Sequence, residues 1–342
     1  MRYRHLGTTG VEVSTQCLGT MMFGAFGNKD HDDCVAIINK AIDGGINFID
    51  TADVYSDGES EEILAKAIKG RRDDLVIATK FFNNFKGEKN RRGGSRFWIR
   101  QAVENSLRRL GTDRIDLYQI HRYDWNTDID ETLGALSDLV HEGKILYLGH
   151  SSFPGDKIVE AQWTAQRRNR ERFVCEQPQY SVFAREVENE VLPATLKYDM
   201  GVIPWSPLAG GWLAGKYRRG AEVEAGSRYA KGGMFSRMQG EVDTDADPRI
   251  DLVERLAVVA DQAGISLTAL GLGFVDAHPA ITAPIIGPRT MEQLDGLLAV
   301  ADIELDAATL DAIDEICPPG TNAPGVTSSV PNKMLEAKNR RR

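Results

Sequence analysis

The sequence predicts an α/β fold of the (β/α)₈ TIM-barrel type, and three observations carry that prediction. Short apolar strands and amphipathic helical stretches alternate along nearly the whole chain, the pattern of parallel strands joined by helical crossovers. Strand ends recur near residues 19, 50, 80, 121, 151, 177, 205 and 287, which makes eight units. At 342 residues and 42% hydrophobic content, the chain can bury one core of barrel size. The expected organisation is a single domain over 1–342. It has a barrel at about 15–316, an amino-terminal β-hairpin before it and a carboxyl-terminal loop and tail at 317–342.

Taken in order, Tyr3 to Leu6 and Val11 to Ser14 flank Gly7-Thr8-Thr9-Gly10, a glycine-bounded turn that predicts the hairpin. Cys17 to Gly19 is the first core strand. Asp30 caps a helix through Ala41, with Val35, Ile38 and Ile42 at helical spacing. Gly44-Gly45 stops it, and Asn47 to Ile49 is the strand that ends at Asp50. Ser60 opens the next helix, and Leu75 to Thr79 is a strand running into Lys80. A helix over Arg96 to Leu110 leads to the strand Ile115 to Ile120, ended by His121. A helix over Ile129 to Glu142 leads to Ile145 to Gly149, ended by Ser151 and Ser152. Pro154 opens a helix to about Arg170, then Phe173 to Glu176 ends at Gln177. Val187 to Tyr198 is helical and precedes Gly201 to Pro204, ended by Trp205. Helices at Leu252 to Ala263 and Ser266 to Ala277 precede the last strand, Thr282 to Ile286. The one long gap, after the seventh strand, holds a Gly- and Arg-rich stretch from Gly210 to Gly240, a length usual for a functional lid.

Composition excludes several classes. A net charge of −9 argues against a nucleic-acid partner, and no run of 18 apolar residues exists to cross a membrane. Met1 to Leu6 lacks an apolar signal core, and Cys17, Cys34, Cys175 and Cys317 form no Cys-x-x-Cys pair, so a cytoplasmic protein with reduced thiols is expected. The histidines at 5, 31, 121, 141, 150 and 278 show no paired ligand spacing, so no metal is expected. A homo-oligomer is compatible with the chain but specified by nothing in it.

Polar residues at several strand ends face one barrel mouth, where such folds do their chemistry. Reduction of a carbonyl needs a proton donor, and the phenol of Tyr55 fits if its pKa, ordinarily about 10, is brought down toward the working pH. The ammonium of Lys80 can stabilise the phenolate, and Asp50 can hold that ammonium charged and aimed. His121 can share the hydrogen bond to the substrate oxygen or relay the proton. Singly, each has a plainer reading: Asp50 a helix cap, Lys80 a solvated side chain, His121 a hydrogen-bonded core residue, Tyr55 loop packing. Jointly, at three successive strand ends, they predict a catalytic centre.

On the runs Phe48 to Tyr55, Ala78-Thr79-Lys80 and Asp116 to His121, the chain resembles the aldo-keto reductases over nearly its whole length. The likeness points to the branch of bacterial reductases similar to potassium-channel β subunits. The family's tetrad of Asp, Tyr, Lys and His matches Asp50, Tyr55, Lys80 and His121. The resemblance implies hydride transfer from NADPH, with NADH second, to the carbonyl of an aldehyde or ketone. The cofactor would lie extended across the barrel mouth. Consistently, no Gly-x-Gly-x-x-Gly opens a helix after the first strand. The resemblance places Thr20 and Met21 against the cofactor, with Asp50 beside it, and Ser151 and Gln177 on the nicotinamide carboxamide. Trp205 would stack on the ring, or else be ordinary core. Ser206, Leu208 and Gly210 would follow the pyrophosphate, with Lys216 and Arg218 closing from the long loop. Gly287, Arg289 and Gln293 match the run that binds the adenosine 2′-phosphate, Arg289 offering a bidentate fork at a helix amino terminus.

The chain departs from the family at Ser152, where Asn is common, and at Gly296 and Leu297, where many members carry adenine-binding Glu and Asn. Phe23, Phe81, Phe82, Tyr123, Trp125 and Phe153, with Tyr55 and His121, are the candidate substrate pocket, and Pro318 to Pro331 could close one side. Such a list predicts an apolar, aromatic-lined site for bulky carbonyls. The alternative, an NADPH-binding redox-sensing regulatory subunit, is suggested by Trp205-Ser206-Pro207-Leu208-Ala209, which potassium-channel β subunits share. Against it stand His121, where those subunits have Asn, and the lack of an inactivating amino-terminal extension.

Overall fold

A computed structural model describes residues 1–83, 87–224, 227–229 and 242–327. The hairpin forms from β1 (Tyr3–His5) and β2 (Glu12–Ser14), which pair antiparallel. The chain then alternates: β3 (Cys17–Gly19), α1 (His31–Asp43), β4 (Phe48–Asp50), α2 (Glu59–Ala67), β5 (Val76–Phe81) and α3 (Arg96–Leu110). There follow β6 (Ile115–Ile120), α4 (Ile129–His141), β7 (Ile145–Ser151), α5 (Gly155–Arg168), β8 (Phe173–Gln177), α6 (Val191–Lys197) and β9 (Gly201–Val202). Last come α7 (Pro248–Gln262), α8 (Leu267–Ala277), β10 (Ile285–Ile286), α9 (Met291–Ala299) and α10 (Ala307–Ile316). No single described helix is long and apolar enough to cross a membrane.

β3 to β10 form one eight-stranded sheet in the order β10-β3-β4-β5-β6-β7-β8-β9, with every pairing parallel. The two outer members are joined through the backbone, Thr282 N donating to Val202 O at 2.8 Å and Ile285 N to Pro204 O at 2.9 Å. The sheet therefore closes as the (β/α)₈ barrel the sequence predicts. Two apolar layers hold it. The larger lies between strands and helices, and the smaller fills the axis with Cys17, Phe48, Ala78, Leu117, Cys175, Ile203 and Ala283. Leu6 and Val13 of the hairpin, both fully buried, complete this inner layer, so the hairpin plugs the barrel. The turn has to be glycine at residue 7, where φ is +55° and a Cβ would lie 2.8 Å from Asp199 O and Gly201 N.

Three elements differ from expectation. The helix foreseen over Val187 to Tyr198 is a single turn at Glu186–Glu188 followed by α6. Pro193 explains the break: its ring would clash with the carbonyl of Asn189 in a continuous helix, so the helix restarts with Pro193 in its first turn. α7 begins four residues early, at Pro248, because Asp247 caps it and Pro suits the first helical position. Of Thr282 to Ile286, only Ile285 and Ile286 are ladder-paired, the earlier residues forming the seam just described. The long loop opens as a tight helical segment, Ala209–Ala214, and residues 225, 226 and 230–241 lie outside the described set. All four cysteines are buried and free.

Candidate active site

Side-chain parity decides which residues face the axis, since alternate residues of a strand point to opposite faces. Phe48, Ala78, Leu117 and Cys175 belong to the inner layer, so two residues on, toward the carboxyl mouth, Asp50, Lys80, Gln119 and Gln177 also point inward. On β7 the inward position is Gly149. A Cβ there would meet Gln119 Cγ at 2.8 Å, so the missing side chain makes the room that Gln119 occupies.

These side chains form one network. Lys80 Nζ, wholly buried, donates to Asp50 Oδ2 at 2.5 Å, to Thr51 O at 2.8 Å and to Tyr55 Oη at 3.1 Å. Asp50 Oδ1 accepts from the amides of Gln119 at 3.0 Å and Gln177 at 2.8 Å. His121 stands edge-on to Tyr55 with ring centroids 6.0 Å apart. Its Nδ1 lies 3.0 Å from Asn83 Nδ2, and because an amide NH₂ can only donate, the neutral ring carries its proton on Nε2. All four predicted catalytic residues thus meet at one mouth. Gln119 and Asn83 were not foreseen; Gln119 shares its strand face with His121, and only the parity of β6 reveals it.

Tyr55 is presented by an unusual turn. Ser56 and Asp57 lie at φ 50° and 57° and Gly58 at φ 97°, three successive left-handed residues before α2. For Ser and Asp this conformation costs about 1–2 kcal/mol each. The β3 loop braces it: Phe26 N donates to Ser56 Oγ at 3.1 Å and Ala25 N to Glu59 Oε2 at 2.8 Å.

The electrostatics correct one expectation. Burial raises the Tyr55 phenol above its ordinary value, and Lys80 only partly offsets it, so the group is a firmly protonated phenol, not a lowered one. Burial depresses Lys80, but Asp50 and Tyr55 more than reverse it, and the ammonium stays charged. Burial, Lys80 and Arg122 together drive the His121 imidazole well below its ordinary range, so it is neutral.

The residues expected around a cofactor divide into two sets. Thr20 is fully buried with its hydroxyl on Ser60 Oγ at 2.7 Å, so it fastens the loop and leaves Met21 as the partly exposed member. Ser151 donates to Gln177 O at 2.8 Å. Ser152 accepts from the indole of Trp205 at 3.4 Å, a bond that ties the two strand ends. Ser152, Ser206, Ala209, Gly210 and Gly211 all have positive φ, and Leu208 is partly exposed beside them, giving a cradle of backbone at the ends of β7 and β9. Beyond it Lys216, Arg228 and Arg289 crowd together: burial and repulsion from Arg289 lower both Lys216 and Arg228. Arg228 was hidden in the Gly- and Arg-rich stretch. Arg218, expected in this cluster, is instead held by Glu254 through bonds of 2.9 and 2.6 Å, and this pairing holds the Glu254 carboxyl at about 2. A Cβ on Gly287 would sit 3.7 Å from Arg228. Gln293 caps α9 by accepting from Arg289 N at 2.9 Å, while Thr290 accepts from Gln293 N.

The expected aromatic pocket is corrected. Phe23, Phe81 and Phe153 are fully buried. Phe81 follows Lys80 on β5 and so points to the opposite face, where it stacks on Tyr118 at 4.8 Å. Phe153 packs on His150 at 4.3 Å. Only Phe82, Tyr123 and Trp125 keep partial exposure. The carboxyl-terminal segment docks on the loop after β8, Arg185 N donating to Thr321 O and Ala323 N to Phe183 O; residues 328–342 of the expected closing stretch and tail lie outside the described set.

The fold and this centre together define a barrel protein with a phenol, ammonium, carboxylate and imidazole at its carboxyl mouth. The sequence profile of the aldo/keto reductase family matches residues 16–318, and the chain belongs to that family. It is 40% identical to an oxidoreductase of Bacillus subtilis (strain 168), YrpG, over 95% of this chain and 98% of the relative. It is 34% identical to a probable voltage-gated potassium channel subunit beta of Arabidopsis thaliana, over 92% of this chain and 96% of that one. Versiconal hemiacetal acetate reductase of Aspergillus parasiticus is 32% identical over 95% of this chain and 99% of its own length.

Proposed function

We propose that the protein is an NADPH-dependent reductase of the carbonyl/alcohol type, converting an aldehyde or ketone to an alcohol with Tyr55 as proton donor. The observation that carries the reading is the Tyr55 Oη held 3.1 Å from a buried ammonium that Asp50 fixes in turn. The residues present fit a dinucleotide phosphate: left-handed backbone at Ser206, Ala209, Gly210 and Gly211 suits a pyrophosphate, and Lys216, Arg228 and Arg289 at the start of α9 suit a 2′-phosphate. Ser151 and Gln177 would hold the nicotinamide carboxamide. When bound, a reduced nicotinamide supplies the hydride. Tyr55 gives its proton to the carbonyl oxygen and is left as a phenolate, whose charge Lys80 stabilises. Neutral His121 offers its Nε2 hydrogen to the same oxygen, orienting the carbonyl. Four buried free thiols and the absence of a spanning helix among the described residues suit a cytoplasmic location.

Replacing Tyr55 with Phe is expected to cut turnover by roughly 10²–10⁴ while leaving NADPH binding, read by fluorescence titration, close to wild type. Near-normal turnover would refute the role. A second reading, a slow NADPH-binding regulatory subunit, is favoured by the 34% identity to probable channel β subunits. Tight NADPH binding with negligible turnover across a broad carbonyl panel would support it.

A further inference from the structure

We propose that Arg122 sets substrate specificity, selecting carbonyl compounds that carry an anionic oxygen group, a carboxylate or a phosphate, to be seated by its guanidinium while Tyr55 meets the carbonyl. The proposal rests on the reductase reading above.

Arg122 follows His121 directly, where β6 opens into the mouth. Its Nη1 donates to His121 O at 2.6 Å and lies 3.4 Å from Ser151 Oγ and 3.5 Å from Ser152 Oγ at the end of β7. Its charge is felt by both catalytic rings, adding to the depression of His121 and opposing the rise of Tyr55. The guanidinium therefore borders the space in which a carbonyl bound to Tyr55 must sit.

Arg122 also lacks a paired counter-charge. Four other buried or half-buried arginines are paired with carboxylates: Arg72 with Asp116 at 2.8 Å, Arg109 with Glu61 at 2.6 Å, Arg185 with Asp314 at 2.6 Å and Arg249 with Asp247 at 2.6 Å. Among the described residues Arg122 has no carboxylate within the 4.0 Å that defines an ion pair. Its Nε and Nη2 make no hydrogen bond to a described residue, so one edge of the guanidinium fork is open. Glu176 lies near enough for its charge to be felt but forms no ion pair with Arg122: its Oε2 is held by His150 and its Oε1 is buried without a partner. Burial is the main influence on Arg122 and disfavours its charge. A partly buried cation of this kind is costly unless an anion meets it, and a planar fork matches carboxylate and phosphate oxygens two at a time.

With Phe23, Phe81 and Phe153 withdrawn into the core, the aromatic wall reduces to groups such as Tyr123 and Trp125. Lys157 lies over both rings, at 5.4 and 5.7 Å, but its ammonium is paired with Glu160 at 2.7 Å, which leaves Arg122 as the cation available to an anionic substrate group there.

The test compares kcat/KM for 4-carboxybenzaldehyde, its uncharged methyl ester and 4-formylphenyl phosphate, with NADPH, in the wild-type protein, Arg122→Gln and Arg122→Lys. The wild type is expected to favour at least one anion over the ester by about tenfold or more, mostly through KM. Whichever anion is preferred identifies the group. In Arg122→Gln the anion-to-ester ratio should fall to about one, and Arg122→Lys should keep part of it, since a point charge replaces the fork. A loss of folding would not move a ratio measured within one variant. Equal wild-type efficiency on ester and anions, or a ratio unchanged in Arg122→Gln, overturns the proposal and leaves the reductase reading standing. Absence of turnover on all three compounds and on simple aliphatic aldehydes overturns both.

Discussion

Asp50 shares two oxygens among three donors: Lys80 takes one, and the amides of Gln119 and Gln177 take the other. Remove Gln119 and Oδ1 keeps a single amide, so the carboxylate can swing and carry the ammonium away from Tyr55. Gln119→Leu should lower kcat roughly tenfold with NADPH affinity little changed, a split that loss of folding would not produce. Neutral His121 and a phenol raised by burial also predict a flat pH profile. Reduction should show no inflection between about pH 6 and 8, and an inflection near 6.5 in kcat would contradict the neutral imidazole. The proposed catalytic residues were legible because Asp50, Lys80 and His121 each follow a short apolar run, with Tyr55 in the loop five residues beyond Asp50. Gln119, Arg122 and Asn83 were not: glutamine, arginine and asparagine are ordinary surface residues until strand parity and loop placement put them inside. The same parity misled the pocket reading, since Phe81 neighbours Lys80 in sequence and therefore faces away from it.

At the scale of elements, the turn before α2 is where structure is strained for function. Asp57 is exposed and left-handed, so Asp57→Gly should stabilise the protein by about 0.5–1 kcal/mol, whereas Asp57→Val should destabilise it by about 1–2 kcal/mol, both read by urea denaturation. The start of α9 carries the second prediction. Arg289→Ala should raise the KM for NADPH far more than that for NADH, because only the former has a 2′-phosphate; equal effects would count against the contact. Most elements were readable from caps and periodicity, α3 and β6 to the residue. The seams were not. β10 pairs only two residues, which depends on neighbours that no local pattern encodes, whereas the break before α6 follows from Pro193, a local signal that the helical periodicity overran.

For the whole molecule, closure of the sheet and the hairpin plug leave one open end, so the polar groups gather at a single mouth. The outer layer carries an independent cost. Asp53 is 2% exposed, both its oxygens lack a partner, and burial, then Glu61, push its carboxyl up to about 8. The folded state thus holds a proton that the unfolded chain releases above about pH 4. This contribution is complete below that value and is lost as pH rises toward the folded pKa. Thermal stability should therefore decline from about pH 4 to 8. Asp53→Asn should flatten that decline, gaining about 1–2 °C at pH 8 for each kcal/mol recovered in a chain of this length.

The central claim is that Tyr55 and Lys80 act as one proton-donating unit. It is tested most directly by a double-mutant cycle in turnover with NADPH and a reactive aldehyde, using Tyr55→Phe, Lys80→Met and the pair. The account predicts that the double variant is scarcely slower than Tyr55→Phe alone, because residues that act together lose their effect together. Losses that multiply, or a Tyr55→Phe enzyme near wild-type speed, would contradict it.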